Sequence, residues 1–205
     1  MAFHHVAIAT KDAEANHDFY TRVMGFKLVK TVVAPTPPGD HGGWARHLFY
    51  DTGNGELIAF WDLHDPKIGD GWKVDHSESL GLPIWVNHIA FDAPTRDALD
   101  SRRRHWQESG IEVLEIDHEW CVSIYATDPN GVMVEFCHTT RAFAADEIAG
   151  SEQLLRDRKP PLEETPPKVT VHPPIRRTAD GSRQSVQLGA PPAATAGAED
   201  SASAR

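Results

Sequence analysis

Residues 121–137 read Cys-Val-Ser-Ile-Tyr-Ala-Thr-Asp-Pro-Asn-Gly-Val-Met-Val-Glu-Phe-Cys, and this stretch decides the fold. Two β-rich runs, Cys121 to Ala126 and Val132 to Cys137, flank Asp-Pro-Asn-Gly131. The proline presets one turn dihedral and the glycine accepts a positive φ, so the stretch predicts two strands joined by a turn. Upstream, Trp85 to Phe91 is strand-like, a helix is predicted from Thr95 or Asp97 to Ser109 before Gly110, and Ile111 to Ile116 is strand-like again. The same order occurs earlier in the chain. Phe3 to Thr10 alternates, and Asp12 is a plausible N-cap for a helix through Phe19, Tyr20 and Val23 to Gly25. Strands are then predicted over Phe26 to Val33, Arg46 to Tyr50 and Leu57 to Trp61, with Asn54-Gly55 as the last turn. Each copy is β-α-β-β-β and about 60 residues long. Neither can close a core alone, so an α+β fold of two paired modules is expected.

The boundaries follow. A paired-module domain is expected over 1–145, with modules at about 1–64 and 84–140, and the loop from His64 to Pro83 is placed to serve as a lid. A closing helix is expected over 146–159 and a disordered Pro/Ala-rich tail over 160–205. All 17 Phe, Trp and Tyr residues lie between Phe3 and Phe143, whereas 8 of the 15 prolines lie from Pro160 onward, which leaves the tail little to bury. Lys168 to His172 is the one stretch there that could strap onto the body as a short strand.

The 20 Lys and Arg against 30 Asp and Glu give a net charge of −10, which argues against a nucleic-acid partner. The apolar runs fall far short of the roughly 20 residues of a membrane span, so a soluble, cytoplasmic chain without membrane partners is expected. Two cysteines, Cys121 and Cys137, make no disulfide framework and agree with a reducing compartment. The 12 histidines outnumber the lysines.

Strand alternation sorts the candidate ligands. In the first strand His5 shares a face with Ala7 and Ala9, while Val6 and Ile8 take the other. In the matching strand of the second copy His88 shares a face with Ala90. In the last strand Glu135 lies with Met133 and Cys137, opposite Val134 and Phe136, and a carboxylate in such a run is hard to explain as core. Two imidazoles and a carboxylate suit a divalent metal, and a triad with open positions suits Fe(II). His41 and His47 flank the Gly42-Gly43-Trp44 loop and read as loop histidines; His4 and His138 fall on the opposite parity. Trp44, Trp61, Trp72 and Trp120 fall near the expected mouth, where aromatic walls suit a flat ring.

With these segments together (His5-Val-Ala-Ile, Phe19-Tyr-Thr-Arg-Val-Met-Gly-Phe26, Asn87-His-Ile-Ala-Phe91 and Ser123 to Phe136), the sequence resembles the vicinal oxygen chelate superfamily. That superfamily includes glyoxalase I, fosfomycin-resistance proteins, bleomycin-binding proteins and type I extradiol dioxygenases. The resemblance implies a half-open, eight-stranded mixed β-barrel around a metal, and homodimers. It places ligands on the first and last strands of each module, so His5, His88 and Glu135 are expected to bind metal while Ala59 occupies the fourth position. Tyr125, ten residues before Glu135, matches the tyrosine with which extradiol enzymes hydrogen-bond the substrate; His118 lies near the expected substrate histidine. An odd number of turn residues would put Tyr125 and Glu135 on one face.

The expectation is an extradiol-type dioxygenase acting with Fe(II) on a small catechol-like molecule bearing vicinal oxygens. Two alternatives stay open. One is a glyoxalase-like isomerase, lyase or thiol transferase using Mn(II), Ni(II) or Zn(II), which Ala59 counts against. The other is a drug-binding protein without turnover, which the three retained ligands count against.

Overall fold

Asp12 caps the first helix as its position predicts, its side chain accepting from the Ala15 amide at 2.9 Å, and Thr95 does the same for the second, accepting from Ala98 at 3.1 Å. The computed structural model describes residues 3–37, 42–162, 165–177 and 183–185. The first module contains β1 (His5–Thr10), α1 (Ala13–Asp18), β2 (Lys27–Pro35), β3 (Trp44–Asp51) and β4 (Leu57–His64). The second contains β5 (His88–Asp92), α2 (Arg96–Glu108), β6 (Val113–Asp117), β7 (Cys121–Thr127) and β8 (Met133–Thr139), and α3 (Ala145–Arg156) follows. Residues Phe19–Val23 wind as a π-helix, and Gly25 then turns the chain with a φ of 75°.

The strands form two main sheets, ordered β1-β4-β3-β2 and β5-β8-β7-β6 with one further strand at the edge of the second. β1 runs parallel to β4, and β5 to β8, so each module returns to its own first strand. The two registers are equivalent: Ala7 stands opposite Ala59, and Ala90 opposite Glu135. The α+β architecture of two repeated modules therefore stands, and Ala59 does occupy the position that Glu135 fills in the second copy.

One face of each sheet supplies the core. Ile8, Leu48, Tyr50, Ile58 and Phe60 from the first pack in one cluster with Val122, Ile124, Val134 and Phe136 from the second, joined by Tyr20, Phe26 and Trp106. The Asp-Pro-Asn-Gly turn ties the modules together. Asp128 accepts from the amides of Asn130 and Val132, both at 2.8 Å, from Asn130 Nδ2 at 2.9 Å and from the Tyr20 hydroxyl at 3.0 Å. Asn130 in turn accepts from Thr10 Oγ1 at 2.8 Å and donates to Asn16 Oδ1 at 2.9 Å. These groups are buried, so each bond replaces one that water can no longer supply.

The region expected to be disordered from 160 onward needs correction. Lys168–His172 forms β9, antiparallel to β6, and residues 175–177 and 183–185 pair as β10 and β11. Lack of aromatic residues did not prevent this, because the edge of β6 offers a row of backbone donors and acceptors that any extended segment can use. His172 Nε2 meets Glu115 Oε2 at 2.9 Å, and Gln107 Nε2 donates to the Pro173 carbonyl at 2.8 Å. The low-complexity end lies outside the described residues. No helix among the described residues is long and apolar enough to cross a membrane.

Candidate functional site

The faces turned away from the shared core carry the polar groups. On the second sheet, register places Tyr125 directly opposite Glu135, and Ser123 opposite Cys137, so the β7–β8 turn has the parity that puts Tyr125 and Glu135 on one face. His88 joins them: its Nε2 lies 3.1 Å from Glu135 Oε2, and its ring centroid 6.2 Å from that of Tyr125. Glu135 is buried, whereas the His88 side chain is partly open.

The His88–Glu135 contact has a specific chemistry. His88 Nδ1 lies 2.9 Å from the Trp85 carbonyl oxygen, which can only accept, so Nδ1 carries a proton and donates it. In the neutral ring Nε2 is then a lone pair, and it faces a carboxylate oxygen. Two acceptors this close require a proton or a cation between them. The same tether on the remote nitrogen is how metal-binding imidazoles are held.

Tyr125 extends the site. Its hydroxyl shares a hydrogen bond of 3.1 Å with His118 Nε2, so the histidine placed near the expected position does reach the tyrosine. Burial above all, with the Glu135 carboxylate adding to it, pushes the Tyr125 phenol well above its ordinary range. It therefore stays protonated. Cys121 lies on the same face, and burial, reinforced by Cys137, pushes its thiol up to about 12, which leaves it an inert packing group.

His5 stands apart from this group. It occupies the corresponding face of the first sheet, where its Nδ1 lies 2.8 Å from His4 Nδ1 and its ring packs edge-on to Phe49 at 5.6 Å. Among the described residues, no group of three or more His, Cys, Asp or Glu is close enough to hold a metal ion. Two of the three expected ligands thus meet, and the third does not join them.

His47 corrects the reading of a loop histidine. It lies within β3, is 9% exposed, and stacks on Trp61 with centroids 3.7 Å apart and planes at 13°. Its Nε2 has no hydrogen-bond partner among the described residues, and its ring centroid lies 6.1 Å from that of His5. Burial first, then the neighbouring His5, lowers its pKa, which favours the neutral imidazole. Its alternation with Phe49 in Arg46-His47-Leu48-Phe49 was the available sequence signal. His41 lies outside the described residues.

A family model described as Glyoxalase/Bleomycin resistance protein/Dioxygenase superfamily matches residues 2–136. A protein described as "Putative ring-cleaving dioxygenase MhqA" from Bacillus subtilis (strain 168) is 29% identical over 141 residues, 62% of this chain and 40% of its own length. This chain thus spans less than half of that relative. A glyoxylase/bleomycin resistance protein/dioxygenase domain from Frankia sp. EAN1pec has a similar fold, with a TM-score of 0.52 at 16% identity over 68% of this chain and 98% of that one. The fosfomycin resistance protein FosX from Listeria monocytogenes aligns with a TM-score of 0.47 at 16% identity, covering 68% of this chain and 94% of its own.

Proposed function

From a chain that belongs to the Glyoxalase/Bleomycin resistance protein/Dioxygenase superfamily, we propose an extradiol-type dioxygenase that acts on a catechol-like aromatic with Fe(II). The observation that carries this reading is the contact of His88 Nε2 with Glu135 Oε2, 3.1 Å apart and on one face with Tyr125. Neutral imidazole and carboxylate suit Fe(II); His88 and Glu135, which meet, would hold it, and His5, the third expected ligand, lies apart from them on the first sheet in this structure. When bound, the ion supplies electron transfer between a diol and O2, which no side chain here provides.

The protein's own groups would position the ring and handle its protons. With His118 Nε2 protonated, it donates to Tyr125 Oη and frees the phenol hydrogen for a substrate oxygen. On the first sheet Trp61 and Phe49 both pack against His47 and hold that imidazole in place.

Anaerobic reconstitution with Fe(II), followed by oxygen uptake over a catechol panel, tests the reading. The expected result is O2 consumed in equal amount to the diol, with uptake lost in Glu135→Ala. Full iron loading without uptake on any diol overturns it. Turnover without O2 and with Mn(II), Ni(II) or Zn(II) selects the isomerase or lyase chemistry instead.

A further inference from the structure

Residues 65–87 join the two modules, and contacts with both modules fasten them. Lys11 Nζ, just past β1, donates to the Asp70 carbonyl at 2.6 Å and lies 5.0 Å from the centroid of the Trp72 ring. Asp75 packs beside the β7–β8 turn, so closely that a Cβ on Gly131 would come 3.2 Å from the Asp75 Cβ. A further contact lies at the foot of β5. Ser77 is 2% exposed, its Oγ accepts from the Asn87 amide at 3.0 Å, and Asn87 Nδ2 donates to the His76 carbonyl. The Ser77 carbonyl also accepts from the Leu80 and Leu82 amides, each at 3.0 Å, so residues 77–87 close into a loop.

That loop ends immediately before His88. The Trp85 carbonyl, which receives His88 Nδ1 at 2.9 Å, belongs to the same planar peptide group as the Val86 amide, and that amide donates to the Pro83 carbonyl at 3.0 Å. The next peptide group carries the Asn87 amide and is held by Ser77. Two successive peptide groups are therefore fixed, and with them the direction of the carbonyl beside the imidazole. The Trp85 side chain is largely exposed, so the backbone rather than the indole serves His88. Glu135 Oε2 lies against the opposite nitrogen, Nε2. A carboxylate is a stronger acceptor than a carbonyl and competes for the ring proton. Fixing the carbonyl on Nδ1 keeps a proton there and turns Nε2 toward Glu135.

We propose that Ser77 and Asn87 are positioning residues for His88: by clasping residues 77–87 they hold the Trp85 carbonyl on Nδ1, so that the ring presents Nε2 to Glu135 and to a cation bound there. Both act through the Trp85 backbone. Removing the partner that orients a metal-binding imidazole costs about 10–100-fold in metal affinity, and a clasp one step further back should cost about tenfold. The effect on metal rests on the Fe(II) reading above, whereas the hold on the ring rests on hydrogen bonds within the chain.

The experiment follows the His88 Nδ1 proton of the metal-free full chain by nitrogen-15 NMR, and Fe(II) binding under argon by calorimetry. The wild type should show a protected Nδ1 proton. Ser77→Ala should speed its exchange with water about fivefold and weaken Fe(II) about tenfold. Asn87→Ala cuts the same clasp from its other side and should do the same, with thermal unfolding checking that each variant is folded. Trp85→Ala keeps the carbonyl and should change neither reading. A wild type without a protected Nδ1 proton, exchange unmoved in both clasp variants, or an equal effect of Trp85→Ala overturns the clasp. If exchange responds but the wild type binds no Fe(II), the clasp stands and the Fe(II) reading falls. Tight Fe(II) binding with exchange unmoved has the reverse meaning, and faster exchange with Fe(II) affinity unchanged overturns the role in metal binding.

Discussion

Replacing Asp128 by alanine removes the acceptor of four buried hydrogen bonds at once. The Tyr20 hydroxyl is fully buried, and burial first, with the Asp128 carboxylate next, keeps it firmly in its protonated donor form. Left without an acceptor, such a donor costs about 1–3 kcal/mol, and the amides of Asn130 and Val132 lose theirs as well. The bonds share one carboxylate and do not add, so the expected loss is about 4 kcal/mol, or about 12 °C in Tm for a chain of this size. Asp128→Asn provides the control. Its Oδ1 still accepts from both amides, but its new NH2 meets Asn130 Nδ2 donor against donor and leaves the Tyr20 hydroxyl hydrogen without its acceptor, although the Tyr20 oxygen can accept from that NH2. That variant should lose about 2 kcal/mol, less than alanine because both amides keep their acceptor. Urea unfolding followed by circular dichroism measures both. An alanine variant within about 1 kcal/mol of the parent, or an asparagine variant as unstable as alanine, refutes the idea that this turn clamps the modules.

Three further outcomes follow from named groups. His47→Leu should raise stability by about 1 kcal/mol, because it removes a buried nitrogen without a partner among the described residues; thermal unfolding checks it, and an unchanged or lower Tm would contradict it. Stability should fall as pH rises from about 9 towards 12, because the unfolded Cys121 thiol ionises near its ordinary value of 9.0 while the folded one holds its proton to about 12. Below pH 9 both states are protonated and this contribution vanishes; Cys121→Ala should flatten the alkaline slope in urea titrations. A chain ended at Pro167 should lose amide exchange protection in β6, Val113–Asp117, while β8 keeps its own; equal protection in both strands would contradict the role given to β9.

Much of the site was legible because strand parity is a local property. Tyr125 and Glu135 fall on one face through alternation and the length of one turn, and neither depends on the rest of the chain. The helix starts at Asp12 and Thr95 were legible for the same reason, since a cap bonds an amide three residues away. The depth of His47 was only half legible, since Phe49 two residues on was visible but the stacked Trp61 comes from the neighbouring strand β4. Lys168–His172 was singled out as able to strap on, but composition favoured disorder from 160 onward because it measures what a segment can bury, whereas an edge strand is held through its backbone.

The sequence by itself determined the repeated β-α-β-β-β order, the family resemblance, and the face each candidate ligand would take. Tertiary structure alone decided which of those groups meet. It brought His88 to Glu135 and His118 to Tyr125, left His5 beside His4 and Phe49, and turned Asp128 and Asn130 from turn residues into the clamp between modules. The physical reason is range: periodicity and capping act over a few residues, while hydrogen-bond partners and burial depend on segments more than a hundred residues apart, as with Tyr20 and Asp128.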